Sequence, residues 1–430
     1  MNKLVVITPG YISHYKPIAV FLTNAGIPAE QVVIATSIAI KNNVIDDGFE
    51  FYEFDAWKNS NPGKIDITKQ DKEEADILLQ SYEATKGGMR SALGFQAEHR
   101  LHDLFGRLDE IEQDINKLVG IYDPKYFMVV QLCYNVVAIL EKKGMKYITF
   151  VTGNPDQLPR ENELYGYPHH LPSDIRFSPE ESQELLALCE NVQNEATAQY
   201  TQITGTPCNN VFSVASKDMI LYNFPESMIL HRDINDNEFY LGSCCRECEK
   251  DYEFEKHLQE LKKVGKPIIY ISFGTVFSVR GDVLMKIFQA LKNEDVSVVV
   301  AKGVLDQKFY KYIREDWIAE EFIPQILVLK YADLYIGHGG NNSITEALTY
   351  GVPVVVLPFA SDQFFSAKAI EENQVGAVID PNFADDILIK KQILGALAYR
   401  KKAQEIKDSI IATHTERIAE KEFIKLLEGK

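Results

Sequence analysis

Residues 332–351 read ADLYIGHGGNNSITEALTYG, and their character changes twice. Leu334–Ile336 is a short apolar run of the kind that forms a buried strand, and Gly337, Gly339 and Gly340 then interrupt it. From Asn342 onward the residues take helical spacing. Such a junction predicts a strand, a tight turn and a helix. The first turn of that helix offers free backbone N–H groups at its positive dipole end, a setting suited to phosphate. The glycines let backbone approach a ligand closely. Asn342 or Ser343 can cap the helix or donate to phosphate oxygens, and His338 can donate to a diphosphate. Glu346 lies on the same helix face as Asn342 and Ser343 and can accept from two ribose hydroxyls. The plainer alternative is a capped turn with a satisfied histidine. Neither a dinucleotide fingerprint nor a Walker loop fits the spacing.

The same alternation recurs along the chain. "KLVVITPG", "AEQVVIATS", "KYFMVVQLC" and "KYITFVTG" are strand-like runs separated by helical stretches in the first half. "KPIIYISFGT", "VSVVVAKG", "QILVL", "ADLYIG", "PVVVLPF" and "GAVID" repeat the rhythm after residue 266. Short Val/Ile-rich runs between helices indicate parallel strands buried on both faces. The predicted fold class is α/β with two doubly wound sheets. A chain of 430 residues exceeds what one core organises, in keeping with two domains. The expected boundaries are an N-terminal domain over 1–242, a linker over 243–266, a C-terminal domain over 267–400 and a helical tail over 401–430. Residues 60–118 read as a charged helical insertion.

Composition narrows the function. Hydrophobic content of 46% and charged content of 25% are ordinary for globular chains. A net charge of −17 argues against nucleic acid or an anionic membrane surface as partner. The run Leu4–Ile7 is too short for a leader or a span, and no stretch reaches 18 apolar residues, so a cytoplasmic protein without a membrane span is expected. Six cysteines do not make a disulfide framework. Cys244, Cys245 and Cys248 in "CCREC" raise zinc, but only Cys208, His231 and His257 lie near as further ligands, and reduced thiols are the plainer reading. "PHHLP" at 168–172 reads as a turn near the cleft.

Around the opening stretch lie "FIPQ" at 322–325, "GVP" at 351–353, Pro358 and "DQ" at 362–363. Together they resemble the nucleotide-sugar signature of the family 1 glycosyltransferases, the UDP-glycosyltransferases. The resemblance implies the GT-B fold, two facing Rossmann-like domains with the active site between them. It implies inverting, metal-independent transfer of a sugar, glucose by the usual association of the Gln, from a UDP-sugar to a small hydrophobic acceptor such as a phenol or polyketide. By that resemblance Phe322 stacks on the base, where relatives usually carry Trp, and Gln325 reads the base through its backbone. His338, Gly340, Asn342 and Ser343 fall at the diphosphate and Glu346 at the ribose. Asp362 and Gln363 hold donor-sugar hydroxyls. "YISFGT" at 270–275 resembles the family's Gly-Thr/Ser loop, which brings Gly274 and Thr275 to the phosphates. Plant members carry Trp where this chain has Asn341, which leaves UDP and dTDP both open.

In "TPGYISHYKP", residues 8–17, the resemblance assigns His14 as the general base, with Pro17 three residues on and Ser13 in place of a glycine. An imidazole suits removal of the acceptor proton. No Asp-x-Asp occurs in the chain, in keeping with no metal cofactor. Many relatives pair this His with an Asp. Here Gln131 of "YFMVVQLCYN" stands in its place, with Asp103 and Asp109 as substitutes on the preceding helical stretch. Tyr11, Tyr15, Met89, Phe95 and Phe127 are apolar candidates for an acceptor pocket, and each reads equally as core. A rival reading is a nucleotide-sugar-binding protein without turnover, and another is a nucleotide-sugar epimerase.

Overall fold

The computed structural model describes residues 3–54, 72–229, 232–245, 248 and 250–429, without the side chains of 72–75, 275 and 276. Two all-parallel sheets carry the chain. The first holds β1 (Leu4–Ile7), β2 (Val32–Thr36), β3 (Glu50–Glu53), β4 (Phe127–Val130), β5 (Tyr147–Val151), β6 (Ile220–Tyr222) and β7 (Glu238–Tyr240), in the order β3-β2-β1-β4-β5-β6-β7. The second holds β8 (Ile268–Ser272), β9 (Ser297–Ala301), β10 (Ile318–Glu320), β11 (Leu334–Gly337), β12 (Val354–Val356) and β13 (Gly376–Val378), in the order β10-β9-β8-β11-β12-β13. Central strands are buried on both faces, as Val5–Ile7 and Ile268–Ile271 show, which is why they read as unbroken apolar runs.

In both sheets the strand order reverses once, between β1 and β4 and between β8 and β11. Loops leaving adjacent strands on either side of such a reversal diverge and open a crevice at the carboxyl ends. Register sets their level. Ile7 pairs with Val129, so the loops toward His14 and Gln131 start together. Ser272 pairs with Gly337, so the loops toward Gly274 and His338 do likewise.

One predicted strand is a helix. "QILVL" forms the helix Gln325–Leu329 behind Pro324, with Ile326–Leu329 all buried. A short run buried all round carries no periodicity that separates strand from helix. Its place in the sheet is taken by β10, an edge strand of partly exposed residues that the apolar pattern does not reveal. β3 is hidden the same way, while β6 and β7 span only three residues each.

The helix Tyr252–Val264, inside the expected linker, buries Leu258 in a core that holds Ile268 and Tyr270 of the second sheet together with Tyr222 and Tyr240 of the first. The helix Arg400–Thr413 sets Ala403 into that same core. After a left-handed His414, the helix Thr415–Glu428 returns to the first sheet. There Ala419 and Phe423 join the core, with the Phe423 ring 5.1 Å from Phe21. Among the described residues no helix is long and apolar enough to cross a membrane.

Candidate active site

The second sheet's half of the cleft is built around His338. Leaving β11, the chain passes Gly339 at φ +94, where a Cβ would lie 2.8 Å from Val356, and enters the helix Asn341–Thr349. Gly340 is the N-cap, and no side chain caps that helix. The expectation that Asn342 or Ser343 caps it is therefore corrected. Ser343 Oγ accepts from Gln325 Nε2 at 3.2 Å, and Asn342 turns toward the other domain. First-turn N–H groups are thus left for a ligand. The imidazole of His338 is wedged between two glycines. A Cβ on Gly340 would lie 2.5 Å from His338 Nε2, and one on Gly274 (φ +66) 3.2 Å from Cε1. Its Nδ1 is buried and has no hydrogen-bond partner, and burial pushes the ring down to about 4. A neutral imidazole thus borders the helix end, with Nε2 on the Gly340 side and the unused Nδ1 on the Gly274 side. The side chain of Thr275, the companion of Gly274 in the expectation, lies outside the described ones.

Further along the same face, Glu346 is 3% exposed. Gln325 Nε2 donates to its Oε2 at 2.5 Å, while Gln325 Oε1 accepts from Tyr270 at 3.2 Å. The amide of Gln325 therefore sits on the carboxylate that the family pattern gives to ribose. Phe322, three residues before Gln325, is 72% exposed. In the "SDQ" loop Gln363 Oε1 ties the turn by accepting from the Phe359 and Ala360 N–H groups at 2.8 and 3.2 Å. Burial raises the Asp362 carboxyl to about 6, partly offset by the N–H of Asn154 from the first domain. Ser361 before it holds a left-handed φ of +57, and its Oγ accepts from Gln96 at 3.0 Å and Gln157 at 3.3 Å, both of the first domain.

The first sheet's half centres on His14, near the start of the helix Ile12–Asn24. Its Nδ1 lies 3.2 Å from Ser13 Oγ, and the Tyr11 ring packs beside it at 5.4 Å. Burial, and secondarily the Arg100 guanidinium, hold this imidazole down to about 4. The expected partners stand elsewhere. Gln131 is buried past β4, donating to Gln157 Oε1 and accepting from the Thr152 N–H, each at 3.3 Å. Asp103 pairs with His99 at 3.1 Å on its own helix, Met89–Asp103. Asp109 lies in the first turn of the next helix, Leu108–Tyr122. The missing carboxylate is thus replaced by a neutral amide that serves the 131–157 contact, not the imidazole.

The two halves are stitched beside His14. Pro17 has no N–H, so the Ser13 carbonyl four residues back lacks its helical donor. Asn342 Nδ2 supplies one from the second domain at 2.9 Å. Asn341, for which the sequence offered no role, is 5% exposed and donates to the Thr152 and Asn223 carbonyls at 2.9 and 2.8 Å. Asn223 in turn donates to Asn342 Oδ1 at 3.1 Å. The helix facing the ligand end is therefore fixed to β5 and β6 of the opposite sheet. Pro17 was the visible signal for this contact, while Asn223, Gln96 and Gln157 carry none in their local sequence. Tyr15, Met89 and Phe127 are core residues, whereas Tyr11 and Phe95 are partly exposed. Among the described residues no group of three or more His, Cys, Asp or Glu is placed to hold a metal, and the cysteines are free. His231 lies outside the described residues.

Comparison with known proteins bears on this arrangement. The family described as "UDP-glucoronosyl and UDP-glucosyl transferase" matches residues 183–411. The uncharacterized UDP-glucosyltransferase YojK of Bacillus subtilis is 29% identical over 167 residues, 38% of this chain and 41% of that protein. The NDP-glycosyltransferase YjiC of Bacillus licheniformis is 32% identical over 128 residues, 30% of this chain and 32% of that protein. These matches span less than half of either relative's length. Among solved structures, the calicheamicin glycosyltransferase CalG4 superposes with a TM-score of 0.64 at 14% identity, covering 100% of this chain and 99% of its own. The glycosyltransferase VinC in complex with dTDP does so with 0.61 at 13%, covering 97% and 100%. At such identities the likeness concerns the fold, two facing Rossmann-like domains.

Proposed function

Because the chain belongs to the UDP-glucoronosyl and UDP-glucosyl transferase family, we propose that it transfers a sugar, glucose first among candidates, from a UDP-sugar to a hydroxyl of a small hydrophobic acceptor, with inversion and without a metal. The observation that carries this reading is the pairing of His14 with the open end of the Asn341–Thr349 helix, held side by side through the Ser13–Asn342 hydrogen bond. One group removes a proton, and the other receives a leaving diphosphate.

The acceptor oxygen attacks the anomeric carbon as the carbon–oxygen bond to the diphosphate breaks. The bonding pair leaves with the diphosphate, and the acceptor proton passes to His14. In the tautomer whose Nδ1–H donates to Ser13 Oγ, Nε2 carries the lone pair that takes it. Ser13, where the family pattern has glycine, is compatible with that tautomer but, unlike an Asp, neither enforces it nor adds charge to steady the imidazolium. A base held low by burial and by Arg100 works best on an acidic hydroxyl, which favours a phenol (pKa about 10) over an aliphatic alcohol. The N–H groups of the helix end, Gly340 and Gly274 for close approach, Thr275 and His338 contact the diphosphate. Asn342 and Ser343 border it. Phe322 stacks on the base. Glu346 takes the ribose hydroxyls once they displace Gln325 from it, and Asp362 and Gln363 take those of the sugar.

Mass spectrometry of the full chain with UDP-glucose, dTDP-glucose and a phenolic acceptor tests the reading. Glucoside formation from UDP-glucose, lost in His14→Ala while UDP still binds, is the expected result. Product only from dTDP-glucose would change the donor, as for the VinC complex. A second reading, a nucleotide-sugar binder without turnover, draws on the engagement of Gln131 away from His14. It is the one left standing if UDP binds and neither donor turns over with any phenol, macrolide or sterol offered.

A further inference from the structure

Arg280 follows β8 and the short turn behind it, at the N-cap of the helix Gly281–Leu291. It is 1% exposed, and no part of the functional reading above uses it. A guanidinium taken out of water must find partners for its donors. Asp282 receives Nε at 2.9 Å and Nη2 at 2.8 Å, a bidentate pair within the second domain. Nη2 also donates to Asn382 Oδ1 at 2.8 Å. Nη1 crosses to the first domain, reaching the Thr85 carbonyl and Oγ1, each at 3.2 Å. Thr85 lies in the last turn of the helix Lys72–Lys86, where the carbonyls lack helical partners and carry the negative dipole end. Asn382 Nδ2 donates to that same carbonyl at 3.0 Å. Two donors of the second domain thus converge on one helix terminus of the first.

The guanidinium also lies over the Phe359 ring, 5.0 Å from its centre. Phe359 stacks on Phe277 at 5.3 Å and 24°. Phe277 packs against the His338 imidazole at 5.5 Å. Phe359 is also the residue whose N–H is held by Gln363. A continuous line of contacts therefore runs from the insertion helix of the first domain, through Arg280, to the imidazole at the open helix end and to the "SDQ" loop.

We propose that Arg280 is a positioning residue: by binding the Thr85 helix terminus when the domains are closed, it sets the Phe359–Phe277 stack and through it the orientation of His338 and the Asp362–Gln363 loop. This role rests on the proposed transferase reading for its effect on rate, but its geometric part does not. Domain closure and donor-site geometry are one event under this proposal, since the charge that anchors the first domain is the wall on which the donor-site rings lean.

The test uses full-length Arg280→Lys and Arg280→Met, with Asn382→Ala as a milder variant that leaves the Arg280–Asp282 pair intact. Arg314→Met, at an ion pair of the second domain with Asp316, is the control. In protein labelled with ¹⁵N-histidine, the His338 ring signal, assigned by its loss in His338→Gln, is expected to move in all three variants and to stay in the control. With UDP-glucose and a phenol, kcat is expected to fall about tenfold or more in Arg280→Lys, the order that a small misplacement in an active site costs. Its KM for the acceptor should stay near wild type. If Arg280→Met does not fold, Arg280→Lys and Asn382→Ala decide. An unmoved His338 signal in folded Arg280→Lys and Asn382→Ala overturns the proposal, whatever the rates. A moved signal in a protein that turns over no donor upholds the positioning and sinks the transferase reading instead.

Discussion

The two halves of the cleft contain the same kind of residue on opposite sides of the strand-order reversal, His14 after β1 and His338 after β11, used in opposite ways. His14 and His338 both follow a strand at a sheet's reversal point, and burial holds both imidazoles down to about 4. His338 is fixed by shape, with glycine backbone on both sides and a nitrogen left without a partner. His14 is fixed by hydrogen bonding, through Ser13, on a helix whose interrupted ladder is completed from the other domain. The contrast teaches that one histidine of a cleft can be held by what is absent around it, and another by what is supplied to it.

The sharpest way to break the comparison is His14→Ala. Loss of a general base is expected to lower kcat by ~10²–10⁴-fold with UDP affinity unchanged, read by initial rates and calorimetry. Loss of UDP binding instead would mean that the two halves are not separable. Next is Gly340→Ala, whose Cβ would meet His338 Nε2 at 2.5 Å. A donor KM raised about tenfold, with the acid limb of the pH profile unmoved, is expected from displacing one positioned donor group. A rise in acceptor KM alone would contradict the assignment of this end to the diphosphate.

Acidity sharpens it further. With both folded-state histidines below their unfolded value of 6.5, the unfolded chain binds more protons between about 4 and 6.5. Their contribution to stability is whole above that window and is lost as pH falls through it. Asp362, raised from 3.8 to about 6, acts in the opposite sense, its contribution being lost as pH rises through that interval. Denaturant titrations of wild type and His338→Gln at pH 5 and 7 check the sign. The variant should show the smaller loss on acidification, and an equal or larger loss would place His338 outside the window. The acid limb of kcat/KM, which reports the free enzyme, should sit near 4 rather than 6.5. The smallest expected effect belongs to Asn341→Ala. Removing two buried hydrogen bonds should cost about 1–3 kcal/mol in thermal or urea unfolding, with modest change in rate.

How far the sequence revealed all this follows from the physics of each part. The central strands were legible because burial on both faces writes continuous Val/Ile runs, and the glycine turn was legible because close approach demands that residue. Edge strands β3 and β10 mix polar and apolar residues and leave no such trace. The Gln325–Leu329 helix was misread because burial all round erases periodicity. The family pattern marked His14 and His338 for roles that activity measurements will decide. Their surroundings were not legible, because Gln157, Asn223 and Thr85 act through contacts made only when distant segments meet. Pro17 was the exception, a local residue with a long-range consequence.

The helix Thr415–Glu428 has a mechanical meaning. The polypeptide passes between the domains once after β7 and again at His414, where Arg400–Thr413, set in the core the two domains share, gives way to a helix seated on the first sheet. Two crossings restrict how one domain can turn against the other more than a single tether would. The apolar cluster that joins Tyr222 and Tyr240 of the first sheet to Tyr270 and Tyr335 of the second runs across the same seam.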